Sequence, residues 1–296
     1  MKTHWIRLLW LLFGCLGMGV WPTVVLAAEG VTLIRIKGSD TLTKALKEWV
    51  RVYQEREPGV RFEVSGGGSG NGIAALINGH VEVASSSRLL REREWQLFRK
   101  KNAHVVPVEH VVARDAVSVV VHPSNPINGV SLQQLTDIYS KSSQAMTWTE
   151  LGVQVPGCPE QKILPIGRKN NSGTYLFFRQ TILDKHDQFD SQKVSTESAD
   201  AIVAMVAQAP CAIGYSGTAF VTNAVKTLCV SKDHAPNAPC VPPTMSATVD
   251  QVYPLARSLY LYTMGEPAAP LKKFLVWIQG REGREILTRN GYIPPP

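Results

Sequence analysis

Four short turns hold most of the polar chemistry in this sequence: Gly38 to Thr41, Ser65 to Gly72, Ser85 to Arg88, and Gly167 to Thr174. Each is built of Gly, Ser and Thr and follows an apolar run, and at least three of them open a helix. A helix start leaves backbone N–H groups unpaired and carries partial positive charge, which suits an anion. Hydroxyls of Thr41, Ser69, Ser87, Ser172 and Thr174 add donors, and glycine lets the backbone approach an oxyanion closely. Arg168 stands just before the last of these turns, where a planar guanidinium can grip two oxygens of a tetrahedral anion. One such turn alone reads as ordinary helix capping. Recurrence of the same donor-rich turn in both halves of the chain points to oxyanion capture.

Positioning these turns requires a repeated strand, turn and helix. Residues 31–37 form an apolar strand. Leu42, Ala45, Leu46, Trp49, Val50 and Tyr53 then recur at helical spacing until Pro58-Gly59. A strand over 60–64, a short helix through Ile73, Leu76 and Ile77, and a strand over 81–84 complete the first α/β run. In the second half, strands are predicted over 116–121, 162–166 and 211–215, with helices through Leu132, Leu135 and Ile138, after Thr174 and over 199–208. A strand-like stretch over 252–262, a helix over 271–279 and an irregular Pro-rich end close the chain. This alternation specifies a parallel α/β sheet, in which ligands bind beyond the carboxyl ends of the strands.

The chain has 296 residues, 44% hydrophobic and 19% charged, with no fixed-period repeat, which fits a globular protein of one or two domains. Lys2 and Arg7 precede an apolar stretch from Leu8 to Leu26 that ends in Ala27 and Ala28, the pattern of a secretory signal peptide over 1–28. An uncleaved anchor and lipoprotein attachment at Cys15 are the competing readings. Loss of the leader removes two basic residues, leaving 29 basic against 24 acidic, a mild positive balance that suits an anionic ligand. The basic residues form no stripe with interleaved aromatics, which argues against nucleic-acid binding. Cys158, Cys211, Cys229 and Cys240 remain, an even count that reads as disulfides in an exported protein. Four cysteines permit three pairings, and the sequence alone does not choose among them; Cys229 with Cys240, closing a Pro-rich loop, and Cys158 with Cys211 are the expected pairs, while zinc held by these cysteines with His234 lacks the usual close spacing. No metal or other cofactor is expected. An enzyme, such as a phosphatase, finds no Gly-x-Ser-x-Gly elbow, metal-like histidine spacing or base beside a nucleophile.

The ordered set Gly38-Ser39-Asp40-Thr41, Gly66-Gly67-Gly68-Ser69-Gly70, Ser86-Ser87-Arg88, Arg114-Asp115, Asn125-Pro126, Arg168 with Ser172-Gly173-Thr174, and Ile213-Gly214-Tyr215 resembles the periplasmic phosphate-binding proteins of phosphate ABC importers. The segment from Phe274 to Tyr292, with its Gly-Tyr-Ile-Pro ending, extends the resemblance over nearly the whole chain beyond the leader. It implies a type II periplasmic-binding-protein fold: two α/β lobes, each a mostly parallel sheet flanked by helices, closing on a ligand cleft. Lobe one would comprise residues 29–115 with 256–296, and lobe two residues 116–255. By the family's pattern Thr41, Leu42 through its backbone, Ser69 and Ser87 contact the anion from lobe one. Arg168, Ser172, Gly173 and Thr174 contact it from lobe two. Well-known members place a carboxylate where Ser87 stands, to accept a hydrogen bond from protonated phosphate; here Asp40 is a candidate replacement acceptor and Arg88 a candidate further cation. The implied protein is a periplasmic monomer that delivers phosphate to the membrane permease of an ABC importer. A sensor or scavenger of another oxyanion is the alternative.

Overall fold

The computed structural model describes residues 31–295, apart from 102–104, 143–145, 185–186, 190–192 and 234–237. The leader, Cys15 and His234 lie outside the described residues.

The first run follows the predicted alternation: β1 (Thr32–Gly38), α1 (Asp40–Arg56), β2 (Val60–Ser65), α2 (Ser69–Ile77) and β3 (Val83–Ser86). β1 pairs in parallel with β2 on one side and β3 on the other. α1 forms because Leu42, Ala45, Leu46, Trp49, Val50 and Tyr53 line one face, and all of them are buried. The helix α3 (Glu92–Lys101), absent from the sequence reading, then leads to β4 (Pro107–Val121). β4 extends well upstream of the predicted 116–121.

The second half contains β5 (Gly129–Ser131), α4 (Leu132–Tyr139), β6 (Leu164–Arg168), α5 (Gly173–Ile182), β7 (Val194–Thr196), α6 (Ala199–Gln208), β8 (Ala212–Gly217) and β9 (Lys226–Ser231). A short α7 (Met245–Val249) and β10 (Ala256–Met264) follow, then α8 (Ala269–Gln279) and α9 (Arg281–Arg289). α9 occupies part of the end predicted to be irregular. It is held where Trp49 Nε1 donates to Gly283 O at 2.9 Å, a contact that no local pattern announces.

The main strand path runs β2-β1-β3-β10-β4-β8-β6-β7, with β9 pairing both β4 and β5. The flanks are parallel, but β10 pairs antiparallel with β3 and β4, and β8 and β9 pair antiparallel with β4. The sheet is therefore mixed. β4 changes partners along its length: up to Ala116 it pairs β10, and from Val117 it pairs β8. The chain crosses back beside the same point, where Val117 N donates to Leu255 O at 2.9 Å and Tyr253 Oη donates to Val117 O at 2.8 Å. Residues 252–255, predicted as strand, form this crossing, and β10 starts after it.

Apolar side chains gather on both faces of each half of the sheet. In the first half, Ile36, Ala113 and Leu259 face α1, α8 and α9, and Ala84, Tyr260 and Tyr262 face α2 and α3. In the second, Val117, Val119, Val121 and Tyr215 pack with α4 and α5, and Val120 and Ile166 pack with α6. Cys158–Cys211 and Cys229–Cys240 are both disulfide-bonded, as expected from the sequence.

Candidate anion-binding site

The four donor turns converge. β1 delivers the chain into α1, β2 into the Gly-rich turn before α2, β3 into Ser87, and β6 into the turn before α5. The conformation of the Gly-rich turn needs glycine at Gly67 and Gly68, whose φ angles are 101° and 92°. Gly68 N bonds to Gly38 O at 2.8 Å, which ties this turn to the one that opens α1.

Hydroxyls from both halves meet in the middle. Thr41 Oγ1 lies 3.1 Å from Thr174 Oγ1, and Ser69 Oγ lies 3.4 Å from Ser87 Oγ and accepts from Ser87 N at 3.1 Å. All four residues are buried. Gly173 has space for no side chain: a Cβ there would stand 2.2 Å from Ser69 Oγ and 2.4 Å from Ser87 Oγ. Ser172 caps α5, its Oγ accepting from Tyr175 N at 3.3 Å, so its hydroxyl is engaged in ordering the turn. Thr41 lies in the first turn of α1, and Gly173 and Thr174 in the first turn of α5, while Leu42 N is already engaged, donating to Ser39 O at 3.1 Å.

Arg168 is 2% exposed at the end of β6. Its backbone N donates to Tyr215 Oη at 3.3 Å, and that ring stacks on Phe178 at 3.9 Å, so the strand end is braced by the core. One terminal nitrogen donates to Glu197 O at 2.6 Å and pairs with Asp40 Oδ2. Arg168 Nε is buried with no partner among the described residues. A buried N–H without an acceptor is costly, and here it belongs to a cation paired with Asp40, the residue before Thr41. Asp40 is thus committed twice, to Arg168 and to Gly67 N at 2.8 Å, and acts as an organiser of both turns.

Asn171 joins the turns directly. Its Nδ2 donates to Gly67 O at 3.0 Å, and its backbone O accepts from Gly70 N at 3.1 Å.

Arg88 turns elsewhere. Its guanidinium forms a buried two-point pair with Glu94, at 2.7 and 2.8 Å, and donates to Leu89 O. Burial acts to raise the Glu94 carboxyl, but the hydrogen bonds and charges of Arg88 and Arg91 outweigh it and hold the carboxyl below its ordinary range. The charge on Arg88 is therefore met by Glu94, at the start of α3.

Two residues at the site went unread as functional in the sequence. Arg257 on β10 is buried against Asp115 on β4, with Nη2 and Nε at 2.7 and 3.1 Å from Asp115 Oδ2. Arg257 Nη2 also approaches Thr41 Oγ1, and Nη1 approaches Ser87 O, each at 3.4 Å. Burial pushes Asp115 up and Arg257 down from their ordinary values, each partly offset by the other. A lone charge inside an apolar strand, Arg257 between Leu255 and Leu259, was the signal that could have found the pair.

Four similarities bear on this geometry. The PBP superfamily domain matches residues 25–282. The phosphate-binding protein PstS of Pseudomonas aeruginosa is 31% identical over 269 residues, covering 88% of this chain and 82% of that protein. Among solved structures, a substrate-binding protein assigned to phosphate ABC transport in Clostridium perfringens, with bound phosphate, superposes with a TM-score of 0.78 at 22% identity, covering 90% of this chain and all of that one. An ABC-type phosphate transport receptor from Vibrio cholerae gives a TM-score of 0.70 at 24% identity, covering 88% of this chain and all of that one. With its donor turns, its mixed sheet and its similarity over nearly the full described length, the chain belongs to the PBP superfamily and, within it, to the PstS-type phosphate-binding proteins.

Proposed function

We propose that this protein captures inorganic phosphate at the convergence of Thr41, Ser69, Ser87, Arg168 and the Ser172-Gly173-Thr174 turn, and delivers it to an ABC importer. The observation that carries the reading is Arg168: a buried guanidinium whose Nε has no partner among the described residues, paired with Asp40 in the first turn of α1 and standing just before the turn that opens α5, while the hydroxyls of Thr41 and Thr174 and of Ser69 and Ser87 are buried against each other. Only an anion of several oxygens satisfies such a set of donors at once. The relatives whose names record phosphate binding support the choice of anion.

Donors come from two sets of elements. We assign residues 29–115 and 256–296 to one lobe and 116–255 to the other; the partner change of β4 at Ala116 and the return crossing beside it support this division. A ligand touched by both lobes favours their closed arrangement, because only that arrangement brings all the donors to it. Closure is then the signal a membrane permease reads. The protein acts before any chemistry, as a periplasmic receptor and not as an enzyme. The described residues contain no helix long and apolar enough to cross a membrane.

Calorimetric titration with phosphate, sulfate and a phosphate monoester tests the reading. Phosphate is expected to bind tightly, sulfate weakly, and the monoester to remain unhydrolysed. Arg168→Ala is expected to weaken phosphate at least about 100-fold, as loss of a charged hydrogen bond in a desolvated site costs about 3 kcal/mol. No phosphate binding, or sulfate binding as tight, would overturn the ligand assignment.

A further inference from the structure

Arg168 is matched by a second buried guanidinium, which reaches Thr41 of the hydroxyl cluster. Arg257 is 7% exposed, and it feels the positive charge of Arg168. Its five N–H groups are unequally used. Asp115 Oδ2 takes the Nε hydrogen and one Nη2 hydrogen at short range. The other Nη2 hydrogen points to Thr41 Oγ1 and one Nη1 hydrogen to Ser87 O, each at 3.4 Å, longer than an ordinary N–H···O bond. Bonds that long are weak, and a charged oxygen nearby would take the donors readily.

The fork therefore has a fixed edge and a loose edge. Asp115 anchors the fixed edge to β4 at the point where that strand changes partners. The loose edge reaches two of the residues that the phosphate reading uses, Thr41 and Ser87. Phe177 closes the face of the guanidinium, 5.4 Å from its ring centroid, and limits access of water.

Resting on the phosphate reading above, we infer that Arg257 is a further anion-binding residue, a second fixed cation that sets a preference for doubly over singly charged oxyanions. With Ser87 where a carboxylate would repel negative charge, an added guanidinium tilts the site towards the dianion. The charged and titratable groups that face Arg257 are Asp115 on β4, Arg168 on β6, Tyr215 on β8 and Tyr292 after α9. Burial raises both tyrosines, so neither ionises across neutral pH. Asp40 sits one residue before Thr41 and is paired to Arg168.

The test is phosphate affinity from pH 5.5 to 8.5, a range of about three units that spans the second ionisation of phosphate near the value seen for phosphoesters, with sulfate as an anion whose charge does not change. Removing Arg257 alone would leave Asp115 buried and unpaired, so the variants are Arg257→Lys and the double variant Arg257→Gln with Asp115→Asn, each checked for a native circular dichroism spectrum. For the wild type, affinity is expected to rise with pH. The double variant is expected to lose about tenfold or more at high pH, about 1.4 kcal/mol, to keep its affinity at low pH, and so to show a flattened profile. Arg257→Lys is expected to keep most of the slope. A folded double variant with wild-type affinity and slope would overturn the role of Arg257 while leaving the phosphate reading intact. A uniform loss at every pH would assign the pair a structural role only. If the double variant fails to fold, an Arg257→Lys protein with a flat profile, or a wild type with no pH slope, overturns the inference. Failure of the wild type to bind phosphate at any pH would instead overturn the reading on which it rests.

Discussion

Gly173 shows how little tolerance the site has at the level of single residues. The sequence marks it as part of an anion turn, but its second duty is steric, because Ser69 and Ser87 from the other half of the chain close over it. A Cβ at 2.2 and 2.4 Å from their Oγ atoms, and 3.0 Å from Ser69 Cβ, forces those hydroxyls away. Gly173→Ala is therefore expected to reduce phosphate affinity about tenfold or more, some 1–3 kcal/mol of overpacking expressed where the halves meet. Thermal denaturation without phosphate should shift little, because the glycine lies at the first turn of α5 and outside the hydrophobic clusters. A variant with wild-type affinity would show that the two halves need not approach this closely. Arg88 and Asp40 carry a related lesson: each is a charged residue beside a donor turn, and each is held by a protein partner. Only the side-chain geometry distinguishes an organiser from a donor that is still open.

Among elements, β4 and β10 carry the greatest burden, since both pass through the middle of the sheet and supply Asp115 and Arg257. Their pairing also contains a titratable bridge: His110 on β4 lies 3.1 Å, through Nε2, from Thr263 Oγ1 on β10. Burial lowers the pKa of His110, and the charge of Glu266 only partly opposes this. The unfolded chain, with a histidine near its ordinary value of about 6.5, thus takes up the proton before the folded protein does. Stability associated with neutral His110 is complete above that value and is lost as pH falls through the lower folded value. Chemical denaturation midpoints are expected to fall on acidification below about pH 6.5, and His110→Gln should make that decline shallower. An unchanged slope in the variant would remove His110 from the pH dependence of this strand pair. The location of β4 was only half legible: its β-branched segment over 117–121 stands out, but 107–115 contains Glu109, His110, Arg114 and Asp115, whose polar side chains broke the apolar pattern and find their partners in Tyr262, Thr263, Val249 O and Arg257 only in the fold.

At the scale of the molecule, the two disulfides lie on the same side of the partner change in β4, within 116–255. Cys158–Cys211 closes a sequence separation of 53 residues and Cys229–Cys240 one of 11. In the loop-entropy account the first stabilises by about 4 kcal/mol and the second by about 3 kcal/mol, by restricting the unfolded chain. Replacing both cysteines of either pair by serine should lower stability by amounts in that order, measured by urea denaturation. Phosphate should restore part of the loss through binding to the folded state. Equal effects from the two pairs would argue for residual structure in the unfolded chain in place of simple loop closure. The half without disulfides relies on its two apolar layers, where α1, α8 and α9 cover one face and α2 and α3 the other.

What the sequence determined by itself was local in its physics. The strand, turn and helix units around Thr41, Ser69, Ser87 and Arg168 were legible because helix periodicity, strand length and capping chemistry act over a few residues. The candidate donors followed from those units, since helix N-termini are anion sites wherever they occur. Tertiary structure alone decided which charges remain for a ligand. Arg88 is drawn to Glu94, six residues on, Asp40 is committed to Arg168 across 128 residues, and Arg257 reaches Asp115 across 142. α9 and the upstream part of β4 belong to the same class: polar segments whose structure is stabilised by distant contacts. Pairings over such separations depend on strand register and on where the chain crosses between halves, and neither leaves a periodic mark in the residues themselves.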